Sequence, residues 1–244
     1  MNRTLTIVIA TYNERQPLPQ LVQQIWQHLP LARILVVDDN SPDGTGDWVR
    51  ELAARDERIE LLHREEKAGL GAATVAGLQM ALQKSSDWIA TMDADLSHRP
   101  EDLNRMWQVL NQKESGDGDG KFDVLIGSRY IQGGRIENWS LPRRFASRAV
   151  NGFARWVLWL KTRDNSGAFR IYRSETLRRT GLDSISCNGF AYLEQILMHL
   201  KKSGARFHEV PIVFSERNLG ESKVTLGELF RNLRDILWLG LRRG

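Results

Sequence analysis

Trp88-Ile89-Ala90-Thr91-Met92-Asp93-Ala94-Asp95-Leu96-Ser97-His98 changes character halfway along its length. Trp88 to Met92 has the composition of a strand, and it runs straight into two carboxylates, Asp93 and Asp95. At i and i+2 on an extended chain both side chains point to the same side. Like charges crowded there repel each other and call for a positive partner. A Mg²⁺ or Mn²⁺ ion that also holds substrate phosphates takes only one or two protein carboxylates and meets that need. The same letters also fit a polar loop after a strand, so the rest of the chain must decide between the two.

Upstream, Leu5 to Ala10 reads as a buried strand followed by the turn residues Thr11-Tyr12-Asn13-Glu14. Leu18, Leu21, Val22, Ile25, Trp26 and Leu29 then mark one helix face. Arg33 to Val37 is a second strand, ending in Asp38-Asp39-Asn40-Ser41-Pro42-Asp43-Gly44-Thr45. A helix to about Arg55 and a strand at Ile59 to His63 repeat the unit, and Gly69-Leu70-Gly71 opens an Ala-rich helix to Lys84. Strands alternating with helices predict an α/β domain with a mostly parallel central sheet covered on both faces. Ligands of such sheets sit beyond the carboxyl ends of the strands. Tyr12, Glu14, Asp38, Asp93 and Asp95 all fall just past predicted strand ends. Asp38, directly after the second strand, is placed to accept hydrogen bonds from a base or ribose, while Asp39 and Asp43 fit turn and helix-cap roles equally well.

Downstream, Pro100 to Leu110 reads as a helix with Glu101 and Asp102 in its first turn. Glu114 to Lys121 reads as a flexible loop, and Phe122 to Gly127 as a strand delivering Ser128, Arg129 and Tyr130. Leu141 to Lys161 is a long helix candidate in which Arg143, Arg144, Arg148 and Arg155 share space with Phe145, Phe153, Trp156 and Trp159. Ala168 to Tyr172, a helix from Phe190 to Lys202, a strand from Phe207 to Phe214 and a closing helix from Thr225 to Leu241 follow.

The bulk properties narrow the class. With 244 residues and 41% apolar content the chain can bury a real core, and the excess charge of +4 is mild. The one cysteine, Cys187, excludes an internal disulfide framework and fits a reducing compartment. Leu5 to Ala10 is too short for a signal peptide, and no apolar run is long enough to span a bilayer. The histidines show no zinc-type spacing. No Gly-x-x-x-x-Gly-Lys-Ser/Thr loop exists, and Gly69-Leu70-Gly71 lacks the third glycine of a dinucleotide fingerprint.

Read in order, further short motifs accumulate: Tyr12-Asn13-Glu14, Val36-Val37-Asp38-Asp39-Asn40-Ser41-Pro42-Asp43-Gly44-Thr45, Gly69-Leu70-Gly71-Ala72-Ala73 and Met92-Asp93-Ala94-Asp95-Leu96-Ser97-His98-Arg99-Pro100. Ser128-Arg129-Tyr130, Phe169-Arg170-Ile171-Tyr172, Glu209-Val210-Pro211-Ile212 and Arg217-Asn218-Leu219-Gly220-Glu221-Ser222-Lys223 complete the series. Together they resemble the dolichol-phosphate (polyprenol-phosphate) mannose synthases, inverting family 2 glycosyltransferases with a GT-A fold. The resemblance runs from Leu5 to about Lys223.

It implies a GT-A catalytic domain over residues 1–224; the basic, tryptophan-bearing pattern that follows reads as an amphipathic helix over 225–244 suited to a membrane interface. The resemblance implies a GDP-mannose site from Ala10, Tyr12, Glu14, Val36 and Asp38, with Asp93, Ala94 and Asp95 holding nucleotide and a Mg²⁺ or Mn²⁺ ion. Ser97 stands where some members carry a Gln metal ligand, so its bond to the metal is either direct or through water. Arg129, Arg217 and Lys223 match basic residues for the donor diphosphate, with Arg129 and Arg143 on the acceptor phosphate. Asp95, Arg129 and Arg143 are the expected catalytic set. Independently, Arg offers a planar fork for phosphate oxygens and Lys a compact charge. A phosphate acceptor is already anionic at neutral pH, so no dedicated base is expected; Glu194 is the residual base candidate. The expected partners are GDP-mannose, a polyprenyl or dolichyl phosphate, the membrane surface and a membrane-anchoring protein, with no nucleic acid. The chain is expected in the cytoplasm, peripherally on the cytoplasmic face of a membrane. The rivals are a UDP-glucose or UDP-N-acetylhexosamine transferase on the same fold, and a non-catalytic nucleotide-sugar sensor or scaffold.

Overall fold

Alternation along the first strand shows how the sheet is built. In β1 (Leu5–Thr11), Leu5, Ile7 and Ile9 enter one apolar cluster and Val8 the other, as a period of two requires. A strand buried on both faces belongs in the middle of a parallel sheet. β1 pairs in parallel with β2 (Arg33–Asp38) on one side and β4 (Trp88–Thr91) on the other. β3 (Ile59–His63) lies outside β2. With β5 (Val124–Ser128), β7 (Arg170–Arg173) and β8 (Phe207–Pro211), the seven-stranded order is β3-β2-β1-β4-β7-β5-β8. β6 (Arg135–Glu137) and β9 (Val213–Ser215) form a small second sheet, also parallel. The computed structural model describes residues 3–114, 121–186, 191–215 and 226–241. The interior of the expected acidic loop, Cys187, and the segment holding Arg217 and Lys223 lie outside the described residues.

Helices α1 (Pro17–His28), α2 (Thr45–Ala53) and α4 (Pro100–Glu114) cover one face. On α1 the buried set is Leu18, Leu21, Val22 and Ile25, the stripe a 3.6-residue repeat produces. The other face carries α3 (Leu70–Gln83), α5 (Leu141–Leu158), α6 (Ser174–Arg178), α7 (Tyr192–Lys202) and α8 (Leu226–Leu241). α8 is not a detached tail: Ile236 and Leu239 are buried in the second cluster, and Gly240 meets Val157 of α5.

Three boundaries differ from the sequence expectation. β7 runs antiparallel between β4 and β5, because an apolar run carries no direction in its letters. Phe207 to Phe214 is two strands in two sheets, not one. Pro211 has no N–H to continue a ladder, and the Ile212 N–H turns back to Ser128 O at 3.1 Å. α5 ends at Leu158, with Trp159 left-handed at φ 51°. The Lys201 ammonium caps that end by donating to the carbonyls of Leu158 (3.3 Å) and Trp159 (2.8 Å), where a helix dipole favours a cation.

The packing of α3 on β1 and β2 depends on Gly77, where a Cβ would collide with Val8 and lie 2.7 Å from Val37 Cγ2. Alanine normally gains about 0.5–1 kcal/mol over glycine inside a helix, but overpacking costs about 1–3 kcal/mol. Gly77→Ala is therefore expected to destabilise by about 1–2 kcal/mol in urea unfolding; a more stable variant would show that α3 sits loosely on the sheet.

Candidate active site

All the parallel strands deliver their carboxyl ends to one edge, and β5 shares their direction because β7 is antiparallel to both β4 and β5. Tyr12, Asp38, Asp93 and Arg129 thus leave the sheet on the same side. At the exit of β4, the buried Ser97 donates twice to Asp95 Oδ1, from its N–H (3.0 Å) and its hydroxyl (2.5 Å). The hydroxyl expected near the metal orients Asp95 by this donation. Among the described residues Asp95 Oδ2 carries no hydrogen bond. Leu96 between them is left-handed at φ 64°, a conformation that costs a non-glycine residue about 1–2 kcal/mol. The Asp95–Ser97 bonds hold it there.

The Asp93 N–H donates to His98 Nδ1 at 3.1 Å, which places the ring proton on Nε2. His98 is buried, stacked on Phe169 at 4.7 Å and edge-on to Phe214 at 5.3 Å. Burial pushes its pKa down, against the pull of Asp93 and Asp95. The 3.6 Å approach of Nδ1 to Asp93 Oδ2 is therefore a contact with a neutral ring, not an ion pair. Burial raises the Asp93 carboxyl and Asp95 adds to the rise, while His98 and Arg129 oppose it. The Asp93 side chain nonetheless keeps 32% of its surface exposed, so it faces the site.

Two oxygen donors at one edge suit a hard divalent cation that completes its shell with phosphate and water. Among the described residues no cluster of three or more His, Cys, Asp or Glu side chains forms a cage of its own. The donor set thus fits a metal shared with a bound diphosphate.

Arg129 differs most from expectation. Its guanidinium grips the buried Asp164 through Nε–Oδ2 and Nη2–Oδ1, both 2.7 Å, and its own N–H donates to Oδ2 at 2.9 Å. Burial would raise the Asp164 carboxyl, but Arg129 overcomes it and holds it below the usual range. Nη2 also donates to Ser166 Oγ at 3.1 Å, so only Nη1 of Arg129 remains without a hydrogen bond among the described residues. Arg143 stacks on Trp139 at 4.1 Å, and Arg129 lies 5.9 Å from the same ring. Both arginines expected at the acceptor phosphate thus lie against Trp139.

The expected nucleotide residues divide. Tyr12 is exposed, with the Lys67 ammonium 3.4 Å from its ring centroid. Glu14 ends the β1 turn, its N–H donating to Thr45 Oγ1 at 3.1 Å. Ala10 is partly exposed on β1, whereas Val36 is fully buried in the core of β2 and Ala94 is buried as well. Asp38 is fully buried, accepting from Thr11 Oγ1 (3.2 Å), Ser41 Oγ (2.5 Å) and the Ser41 N–H (3.0 Å). These bonds fix the shape of the loop after β2. Asp39 does likewise, bonding Arg64 at 2.7 Å and the Gly69 N–H at 2.8 Å. Gly71 must be small because Tyr192 lies 3.0 Å from where its Cβ would be.

Sequence reasoning missed Asp164, His98, Trp139 and Tyr192. His98 had a signal in its place beside Asp93 and Asp95; Asp164 had none, its partner being 35 residues away.

A comparison with known protein families matches residues 6–181 to the model described as glycosyl transferase family 2. The chain belongs to glycosyl transferase family 2. Within it, the undecaprenyl-phosphate mannosyltransferase of Micrococcus luteus is 40% identical over 225 residues, covering 92% of this chain and 88% of its own. The polyprenol monophosphomannose synthase of Mycolicibacterium smegmatis is 37% identical over 241 residues, covering 98% of this chain and 88% of its own. Among solved structures, glucosyl-3-phosphoglycerate synthase from Mycobacterium tuberculosis, in complex with Mn²⁺, UDP-glucose and phosphoglyceric acid, superposes with a TM-score of 0.67 at 14% identity. That match covers 98% of this chain and 80% of the other, and it shows a shared fold. Membership of family 2 makes the chain a glycosyltransferase.

Beside this site Glu194 is fully buried on α7, and among the described residues neither carboxylate oxygen has a partner. Burial pushes its pKa up to about 8, so at neutral pH it is protonated and is no base. The unfolded carboxyl ionises near its ordinary value of 4.5. The folded chain therefore binds the extra proton between the two values, and its stability falls as pH rises through that window. Glu194→Gln is expected to match the native chain near pH 4.5 and to exceed it by a few kcal/mol above pH 8, by urea unfolding across pH. Parallel stability curves would contradict the buried neutral carboxyl.

Proposed function

We propose that this family 2 enzyme transfers mannose from GDP-mannose to a polyprenyl or dolichyl phosphate with inversion, giving a β-linked polyprenyl-phosphate mannose. The observation that carries it is the convergence of Arg129 and Arg143 on Trp139, across the edge from the oriented Asp93–Asp95 pair. One face gathers oxygen anions for a metal-bound diphosphate and the other gathers guanidinium groups for a second phosphate. Two relatives of 37% and 40% identity that carry polyprenol or undecaprenyl phosphate in their names support the acceptor.

Asp93 and Asp95 would hold Mg²⁺ or Mn²⁺, which when bound supplies positive charge to the departing nucleoside diphosphate. The exposed Tyr12 ring offers a stacking face for a base, and Lys67 already marks it as a cation-binding surface. Arg143 and the Nη1 edge of Arg129 would hold the acceptor phosphate, screening it from the acidic pair. Its second pKa lies near about 6, so one oxygen is a ready nucleophile at neutral pH. That oxygen would attack the anomeric carbon from the face opposite the diphosphate. Glu194, buried and protonated, has no part in this. Arg217 and Lys223 belong to the same proposal as phosphate contacts.

A lipid acceptor demands a bilayer, and α5 and α8 supply a face for it. Trp156 and Trp159 are 74% and 73% exposed, and Phe145, Phe230 and Leu241 are exposed too. Exposed Arg148, Arg155, Lys161 and Arg163 accompany them. Aromatic and basic side chains in one stripe suit the anionic surface of a membrane. Among the described residues no helix is long and apolar enough to cross one. We place the enzyme peripherally on the cytoplasmic face, with an anchoring protein as an additional route to the lipid.

Paired assays with GDP-mannose and UDP-glucose on a short polyprenyl phosphate test the donor: turnover with GDP-mannose is expected, and turnover with the UDP-sugar alone would overturn it. Asp95→Ala or metal chelation is expected to lower kcat by about 100-fold or more. Replacing both Trp156 and Trp159 with serine is expected to cut cosedimentation with anionic vesicles, more so at high salt. Unchanged sedimentation would move the membrane contact elsewhere.

A further inference from the structure

Arg143 occupies the first turn of α5, which holds no acidic residue. The amino end of a helix is its positive pole, so a guanidinium there is repelled by its own helix. Something else must hold it in place. The face of Trp139 is one contact that does so, with the Arg143 guanidinium carbon 4.1 Å from the ring centroid. Trp139 is in turn fixed by Phe214, edge-on at 5.5 Å and 73°.

Phe214 belongs to β9, and β9 is tied in both directions. On one side it pairs with β6, Ile136 opposite Phe214. On the other it bridges to His98, and the Ser215 N–H donates to Ser97 O at 3.2 Å. A continuous path therefore runs from Asp95 through Ser97, β9, Phe214 and Trp139 to Arg143. It sets the distance between the metal-side carboxylates and the phosphate-side arginine.

We propose that Trp139 is a positioning residue for the acceptor phosphate: its ring face holds the Arg143 guanidinium beside Arg129 and in register with the Asp93–Asp95 loop. This rests on the reading of Arg143 as an acceptor-phosphate group, and the test separates the two. Trp139→Leu, Trp139→Phe, Arg143→Ala and the Trp139→Leu/Arg143→Ala double variant are compared in steady-state kinetics with both substrates varied.

Losing the ring face is expected to raise the acceptor KM by about 5- to 30-fold, while the donor KM stays within about twofold. Trp139→Phe keeps a weaker π face and is expected to fall between native and Trp139→Leu. The double variant is expected to be no worse than Arg143→Ala alone, since both remove one interaction. If Trp139→Leu melts at assay temperature, Trp139→Phe and its double with Arg143→Ala carry the same comparison. An unchanged acceptor KM in Arg143→Ala sinks the phosphate assignment itself. A weakened Arg143→Ala beside a native-like Trp139 variant, or additive losses in the double, overturns the role of Trp139 alone. An equal rise in both KM values also overturns it, since general disorder would do that.

Discussion

Repulsion between Asp93 and Asp95 is the constraint around which this edge of the molecule is arranged. Both leave a strand whose four residues are buried, so neither charge can retreat far into water. Burial raises the Asp93 carboxyl and Asp95 raises it further. The protein answers without neutralising the pair. Ser97 fixes Asp95 through one oxygen, and His98 accepts the Asp93 N–H. His98 itself is wedged between Phe169 and Phe214. The left-handed Leu96 persists because neighbours on both sides determine it. What remains is a preorganised anionic edge that a shared cation and diphosphate would complete.

Positive charge is organised by the opposite logic. Arg129 is buried and matched by Asp164 in a bidentate pair, so it enters the site as a rigid, partly committed donor. Arg143 stacks on the face of Trp139. A guanidinium of each kind suits a phosphate that must be gripped and then released as product. The small β6–β9 sheet joins the two charge sets through backbone hydrogen bonds. That sheet adds little core, and its contribution is geometric.

Much of the fold was readable in the chain, and the reasons are local. The parallel units follow from apolar runs alternating with 3.6-residue stripes, and β3 came out with the same ends, Ile59–His63. The acidic edge was readable because an apolar strand runs straight into two carboxylates, although β4 ends at Thr91 and Asp93 and Asp95 sit in the loop beyond it, not on the strand as expected. The antiparallel β7 was not, since Arg170 to Arg173 pairs with strands distant in sequence on both sides. Asp38 was expected at a ligand from its place after a strand, and Val36 from the resemblance. Both are buried, which only the assembled loop determines: Asp38 accepts from Thr11 and Ser41. Asp164 and Trp139 were invisible for the same reason, because each acts on an arginine that only the tertiary fold brings near. Arg217 and Lys223 keep the role that resemblance suggested, as a proposal.

Binding of Mn²⁺ followed by electron paramagnetic resonance, with and without GDP, tests the shared-metal edge most directly. Two carboxylates alone hold the ion weakly, so GDP is expected to tighten Mn²⁺ binding by about 10-fold or more, and Mn²⁺ to tighten GDP by the same factor. Tight Mn²⁺ binding without nucleotide, or GDP affinity indifferent to the metal, would contradict an edge built for a cation and a diphosphate together.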